Sequence, residues 1–368
     1  MKMKKILVSM FLLFFALCLK ANVSNAAEIS AMERLDYWDV SKEYTITNQD
    51  ATYHAYLSKD KKESWIFKAD VAKDKKNVKV VIPDKIENAP VVIVGATSGY
   101  DEILAKQNLG SVGIQAPDGF YYLDAEVTLW GELLEPWHYS GPYKKNIKSI
   151  TMPDTVRYLG AAAFAYTTSV ETIYLSNQLV SLREYTFLEC KNLKKIDTFA
   201  KVKVEAKEAF TGCSKLTGLA YITKHLDGDT LSFSNNMVID LTEKDLVQVM
   251  PGAKKITIPK SVKWIEATAF KNTSIKTLKV SKKNKYFAVH KRCLYRKAEK
   301  ELVYVFGKGS TLTLSKKIKQ ISEDVVVTKA KLKKLIISHK VKRYNNWKKP
   351  FVKNNKKIKI YYRGKRVK

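Results

Sequence analysis

Self-similarity is the feature that narrows the fold most. From Ile147 the chain reads "IKSITMPDTVRYLGAAAFAYTTS", from Val170 "VETIYLSNQLVSLREYTFLECKN", and from Leu193 "LKKIDTFAKVKVEAKEAFTGCSK". The starts lie 23 residues apart, and a further copy, "AKKITIPKSVKWIEATAFKNTS", begins at Ala253. Ile150, Ile173, Ile196 and Ile256 share one place in the pattern. Phe164, Phe187, Phe210 and Phe270 share a second, and Thr167, Cys190, Cys213 and Thr273 a third. One such coil has too few apolar side chains to form a core alone. Stacked in register, with strands ~4.8 Å apart, like positions become continuous apolar ladders. A column of the four phenylalanines is therefore expected.

A longer period lies over the first. "MVIDLTEKDLVQVMPGAKKITIPKSVKWI" (237–265) aligns without gaps on "CLYRKAEKELVYVFGKGSTLTLSKKIKQI" (293–321), an offset of 56. Two short apolar runs around a charged turn predict a β-hairpin, inserted ahead of the next coil. Upstream, "EYTITNQDATYHAYL" and "SWIFKADV" alternate polar with apolar residues and predict strands. They would cover the first ladder, which otherwise faces water.

These units resemble the BspA-type leucine-rich repeats of bacterial surface and secreted proteins. Met152-Pro153, Val156, Leu159-Gly160 and Ala163-Phe164 carry the likeness. So do Ile258-Pro259, Val262, Ile265 and Ala269-Phe270, while "VVIPDKIENAPVVIVG" (80–95) is similar to an opening unit. The likeness runs over roughly 80–360. Near the end Val325-Val326 stands in place of Ala-Phe and "KKPFVKN" (348–354) restores only the Phe, so less regular last coils are expected. The resemblance implies a mainly β fold: a right-handed leucine-rich-repeat solenoid with a parallel sheet, β-hairpin insertions and a β-rich N-terminal cap. It also implies adhesion or the binding of host and matrix proteins, and the expected function is a binding module without catalysis.

The chain divides accordingly. Met1-Lys2-Met3-Lys4-Lys5, the apolar run Ile6–Leu19 and the small residues to Ala26 predict a secretory signal peptide over 1–26. Cys18 invites a lipid anchor, but Leu17 before it is bulky for that signal. A β-rich cap is expected over 27–79, and a first unit with an aromatic insertion over 80–146. Regular 23-residue turns follow over 147–230, then basic hairpin-plus-coil units over 231–368. No further apolar stretch has the ~20 residues a membrane span needs. The expected location is extracellular or at the cell surface.

Charge is distributed one-sidedly. The formal net charge is +30, and residues 253–368 hold 36 of the 66 Lys and Arg but only 5 of the 36 Asp and Glu. Lys254, Lys255, Lys276, Lys279, Lys333, Lys334, Lys356, Lys357 and Lys359 fall just before or within the strand positions of successive coils. Stacking would align them along one surface. Two unit charges ~5 Å apart in water repel by just under ~1 kcal/mol, less in salt. A polyanion would relieve that repulsion, and export favours cell-envelope polymers, anionic glycans or acidic headgroups over nucleic acid. The plainer role of such lysines is to keep a repetitive β-protein soluble and to block edge pairing.

Little else suggests chemistry. His54, His138, His225, His290 and His339 are isolated, and no HExxH, paired-Cys spacing, G-x-S-x-G, P-loop or G-x-G-x-x-G occurs. No metal or other cofactor is expected. Cys190 and Cys213 occupy a packing position, although adjacent coils leave a disulfide between them open. The stretch "DGFYYLDAEVTLWGELLEPWHYSGPY" (118–143) stands apart. Alternation from Tyr121 puts Tyr122, Asp124, Glu126 and Trp130 on one face, with Trp137 following. Aromatic planes beside carboxylates suit a sugar or a cationic peptide, while the same rings would also serve to bury an edge of the solenoid. Asp124 with Glu126 further raises glycoside hydrolysis. A structural spacer presenting the N-terminal region is the remaining alternative.

Overall fold

The structure, a computed structural model, describes residues 35–72, 75–95, 114–115, 121–122, 146–160, 163–165, 167–183, 185–204, 207–222, 228–321, 323–327, 332–343 and 346–368. It is a β-solenoid, and the ladders foreseen from the repeat are its spine. Val78–Val81, Ile147–Thr151, Thr172–Tyr174 and Lys195–Asp197 form one parallel sheet, with Val80, Ile150, Ile173 and Ile196 in register. These four side chains are buried because the flanking residues of each strand point the other way. A second face carries the shorter strands Tyr158–Leu159 on Ala89–Val94 and Ser181–Leu182 on Lys201–Val204. There Leu182 pairs with Val204, one residue short of the 23-residue spacing; the third coil tightens locally and recovers its phase by Phe210.

The cap is an antiparallel meander of Trp38–Thr47, Ala51–Ser58 and Ser64–Val71. Its last strand continues into the second face by pairing in parallel with Ala89–Val94. The Trp65 indole donates to the Gly95 carbonyl at 2.6 Å, while Asn48 and Tyr53 both donate to Val81, closing the exposed edge of the first sheet. The long insertion leaves after Gly95. The chain re-enters at Asn146, whose amide donates to the carbonyls of Ala72 and Lys75. Val80 and Ile150 thus pair as neighbours across 70 residues of chain. Loop-closure entropy grows only slowly with length, so the ladder tolerates such a detour.

Both expected hairpins are present, each with a third strand. Thr230–Ser234, Met237–Asp240 and Asp245–Val249 form the first meander; Phe287–His290, Cys293–Arg296 and Glu301–Val305 form the second. Even the register irregularity repeats at the offset of 56, between Val238 and Ile239 and between Leu294 and Tyr295. Each meander is a wall buried on both sides. In the first, Phe233, Val238 and Val247 face the preceding core while Met237, Ile239, Leu246 and Val249 face the next. In the second, Leu294 and Tyr304 look back and Cys293, Tyr295, Leu302 and Val305 look forward. The core is therefore three clusters separated by two walls.

The phenylalanine column is broken at the first wall. Phe164, Phe187 and Phe210 stack at 5.9 and 5.2 Å between centroids. Phe270 instead starts a second stack with Tyr304, at 4.1 Å and nearly parallel. Tyr304 comes from the second wall, and its counterpart in the first wall is Gln248. The Gln248 side-chain Oε1 accepts from the Gly218 backbone N–H at 2.6 Å. A β-carbon on Gly218 would lie 2.1 Å from the Val247 carbonyl oxygen, so only glycine lets the short helix Thr217–Ile222 approach this wall.

The last coils are more regular than expected. Thr311–Thr313, Lys334–Ile337 and Lys359–Tyr362 form a parallel ladder with Leu312, Leu335 and Ile360 in register. Buried Val325 and Phe351 supply the apolar volume that the missing Ala-Phe pairs would have filled. Phe351 does so from a short helix, Lys349–Asn354, with Pro350 in its first turn, where its missing N–H costs nothing.

Candidate functional site

The outward positions of the first-face ladders carry the charge. In the N-terminal sheet Lys148, Lys194 and Lys195 have acidic partners. Lys148 and Lys194 both reach the Glu171 carboxylate, at 2.6 and 2.9 Å, and Lys195 reaches Asp197 at 2.5 Å. The two ammonium groups beside Glu171 hold its carboxyl below the usual range.

Beyond the first wall the same positions have no acid. Lys255–Ile258 pairs only with Thr277–Val280, setting Lys255 opposite Thr277 and Thr257 opposite Lys279. Lysine and threonine thus alternate diagonally, with Ile256 and Leu278 inward between them. Lys254 and Lys276 hold like positions at the coil edge, where the amides of Lys276 and Thr277 both donate to the Lys254 carbonyl. In the last sheet Lys334 lies directly opposite Lys359. Lys333 is joined to the same strand through its carbonyl, which accepts from the Lys359 amide, and Lys356 and Lys357 occupy the preceding turn. All nine lysines are exposed, and none makes an ion pair among the described residues. The Lys334 ammonium lies 4.9 Å from the centre of the Tyr361 ring.

The lysines form two patches in separate sheets rather than one stripe. The second wall stands between Thr277–Val280 and Thr311–Thr313, so the ladder does not run through. A break also precedes the first patch. Asn235 and Asn236, both with positive φ, form the tight turn of the first wall beside the Lys255–Ile258 strand. They line an open cleft of about 520 Å³ together with Lys255, Thr257, Thr277 and Lys279. A narrower cleft continues from the same asparagines to Lys195, Asp197 and Phe199. Sequence reading missed this cleft; the Asn-Asn pair between "TLSFS" and "MVID" was the available signal for the turn.

Of the aromatic segment, Tyr122 lies in a two-residue antiparallel pairing of Ile114–Gln115 with Tyr121–Tyr122. Asp124, Glu126, Trp130 and Trp137 lie outside the described residues. The cysteines Cys190, Cys213 and Cys293 are buried thiols. The Cys190 thiol donates to Phe164 at 3.0 Å and that of Cys213 to Phe187 at 3.1 Å, each one coil back, so they serve as small core donors and form no disulfide. Burial pushes the Cys213 thiol well up and that of Cys293 to about 12, which disfavours a reactive thiolate. Among the described residues no cluster of three His, Cys, Asp or Glu could hold a metal ion, and no helix is long and apolar enough to cross a membrane.

One carboxylate buried in the first wall has an acidic neighbour. Asp245 lies beside Glu266 with one carboxylate oxygen lacking a hydrogen-bond partner. Burial, reinforced by a hydrogen bond from Glu266 and the nearby charges of Glu266 and Asp240, pushes its carboxyl up to about 8. Burial raises Asp240 as well.

The chain is similar in fold to several solved bacterial proteins. A leucine rich cell surface protein from Faecalibacterium prausnitzii is 13% identical, with a TM-score of 0.38 over 87% of this chain and 76% of that one. A leucine-rich repeat protein from Bacteroides ovatus is 15% identical, with a TM-score of 0.32 over 87% and 71%. The leucine rich repeat protein of T. pallidum is 15% identical, with a TM-score of 0.30 over 82% and 93%. No curated protein matches the chain. The description of the BspA type leucine rich repeat region matches residues 142–250 and 249–358, in six copies. With well over half of its length so matched, this chain belongs to the BspA-type leucine-rich repeat family.

Proposed function

We propose that the protein is a non-catalytic binding module, exported to the cell surface, whose basic ladder faces hold anionic polymers of the cell envelope. One observation carries this reading. On the same face of the same fold, Lys148, Lys194 and Lys195 of the N-terminal coils pair with carboxylates, whereas nine lysines of the C-terminal coils make no ion pair among the described residues. Solubility alone does not call for paired ladder lysines on one side of a wall and unpaired ones on the other. Export is supported by the basic and apolar opening of the chain, and the solenoid offers a long face with many equivalent contacts. An exposed ion pair contributes only ~0.2–1 kcal/mol, so retention depends on many pairs forming together.

The test is fractionation of the producing cell. Release from the wall fraction is expected to rise steeply with salt, as the Debye length falls from ~10 Å at 0.1 M to ~3 Å at 1 M. Retention that high salt leaves unchanged would overturn the proposal.

A further inference from the structure

The cleft at the first wall differs from the rest of the basic surface. Lysines here line a concavity. Here the ladder stops at Lys195–Asp197 and resumes at Lys255–Ile258, and the Asn235–Asn236 turn lies between. The resulting space of about 520 Å³ is within the size range of small-molecule sites, ~300–1,000 Å³.

Its chemistry is mixed in a specific way. The amides of Asn235 and Asn236 are exposed and make no hydrogen bond among the described residues, so each offers both a donor and an acceptor. The Thr257 and Thr277 hydroxyls do the same, and the Lys255 and Lys279 ammonium groups alternate with them at strand spacing. The only carboxylate in the adjoining cleft, Asp197, is held by Lys195 at 2.5 Å. Beside it Phe199 is 80% exposed, on a loop fixed by its backbone amide donating to the Asn177 side chain at 2.7 Å. A large ring held out in water beside a polar cleft is a flat platform for C–H surfaces.

Building on the polyanion reading, we infer that this cleft selects anionic carbohydrate: a chain of pyranose rings bearing carboxylate or sulfate groups. One ring packs on Phe199. Its neighbours place hydroxyls on the asparagine amides and threonine hydroxyls and their anionic groups on Lys255 and Lys279. An acidic peptide or a phosphate polymer satisfies the ammonium groups but leaves the ring platform unused.

Charge-matched probes separate these cases. Hexagalacturonate and N-acetylated, C-amidated hexaglutamate each carry six carboxylates, and a sulfated hexasaccharide run beside them identifies the preferred anionic group. By calorimetry at low salt, one of the two sugars is expected to bind about tenfold tighter than the peptide. Phe199→Ala, at an exposed site, and Asn236→Gly, which keeps the positive φ of 60°, should each erase most of that preference and leave peptide binding unchanged. Equal affinities for sugars and peptide, or a preference that survives both substitutions, would overturn the inference and leave the polyanion reading intact. Failure of all three probes to bind would overturn both.

Discussion

The two halves of this solenoid share one core design and differ in what they do with surface charge. Ile173 in the N-terminal sheet and Leu335 in the last one sit in the same ladder position, both fully buried. Outside them, Lys148 and Lys194 share Glu171, whereas Lys334 faces Lys359. The inward residues decide the fold, and the outward residues are free to be tuned without it. A repeat array can therefore keep one end electrostatically satisfied and leave the other in need of a partner.

If the cores are equivalent, the largest effect should be the same in both halves. Phe187→Ala and Phe351→Ala, each at a fully buried ring, should each destabilise by ~3–5 kcal/mol. Urea unfolding checks this, and a much smaller cost at Phe351 would break the comparison. The next effect should be one-sided. Replacing Lys333, Lys334, Lys356, Lys357 and Lys359 with glutamine should weaken binding to a sulfated polysaccharide by roughly a hundredfold, about 2–3 kcal/mol. The same change at Lys148, Lys194 and Lys195 should move affinity less than about twofold. Affinity titrations at several salt concentrations would show both results, with a shallower salt dependence only in the first variant.

The wall between the halves should respond to pH. Asp245 has a folded-state carboxyl raised far above its unfolded value, so its contribution is complete below the ordinary carboxylate range and lost as pH rises toward about 8. Stability should fall by roughly 1–3 kcal/mol between about pH 5 and about pH 8. Asp245→Asn should flatten that slope in denaturation curves. The smallest effect sharpens the comparison from the other side. Glu171→Gln should change stability by no more than about 0.5 kcal/mol, since its pairs are partly exposed. It should nonetheless give the N-terminal sheet a measurable affinity for the polyanion, detectable by footprinting Lys148 and Lys194.

Much of the ladder was legible because the repeat is strict at its inward positions. Ile150, Ile173 and Ile196 were identified as equivalent and pair in register. The hairpin alignment held to the single bulged residue. What escaped was set by contacts between periods. Tyr304 belongs to the hairpin alignment and so never entered the phenylalanine column, yet it is the ring on which Phe270 stacks. Thr230–Ser234 lies just outside the segments that align at the offset of 56, so the third strand of the wall and its Asn-Asn turn are not legible in that alignment. Because that wall interrupts the first face, the lysines fall into two patches. Adjacent spacing in sequence could not show this, because it reports the period and not the breaks.

The doubly buried wall also ties the fates of the halves together. Were the basic half to melt alone, Met237, Ile239, Leu246 and Val249 would be stripped of their cover. Baring four such side chains costs roughly 6–12 kcal/mol at ~1.5–3 kcal/mol each. That penalty exceeds the mutual repulsion of a few surface lysines, so cooperativity transmitted through the meander keeps the crowded cations in place.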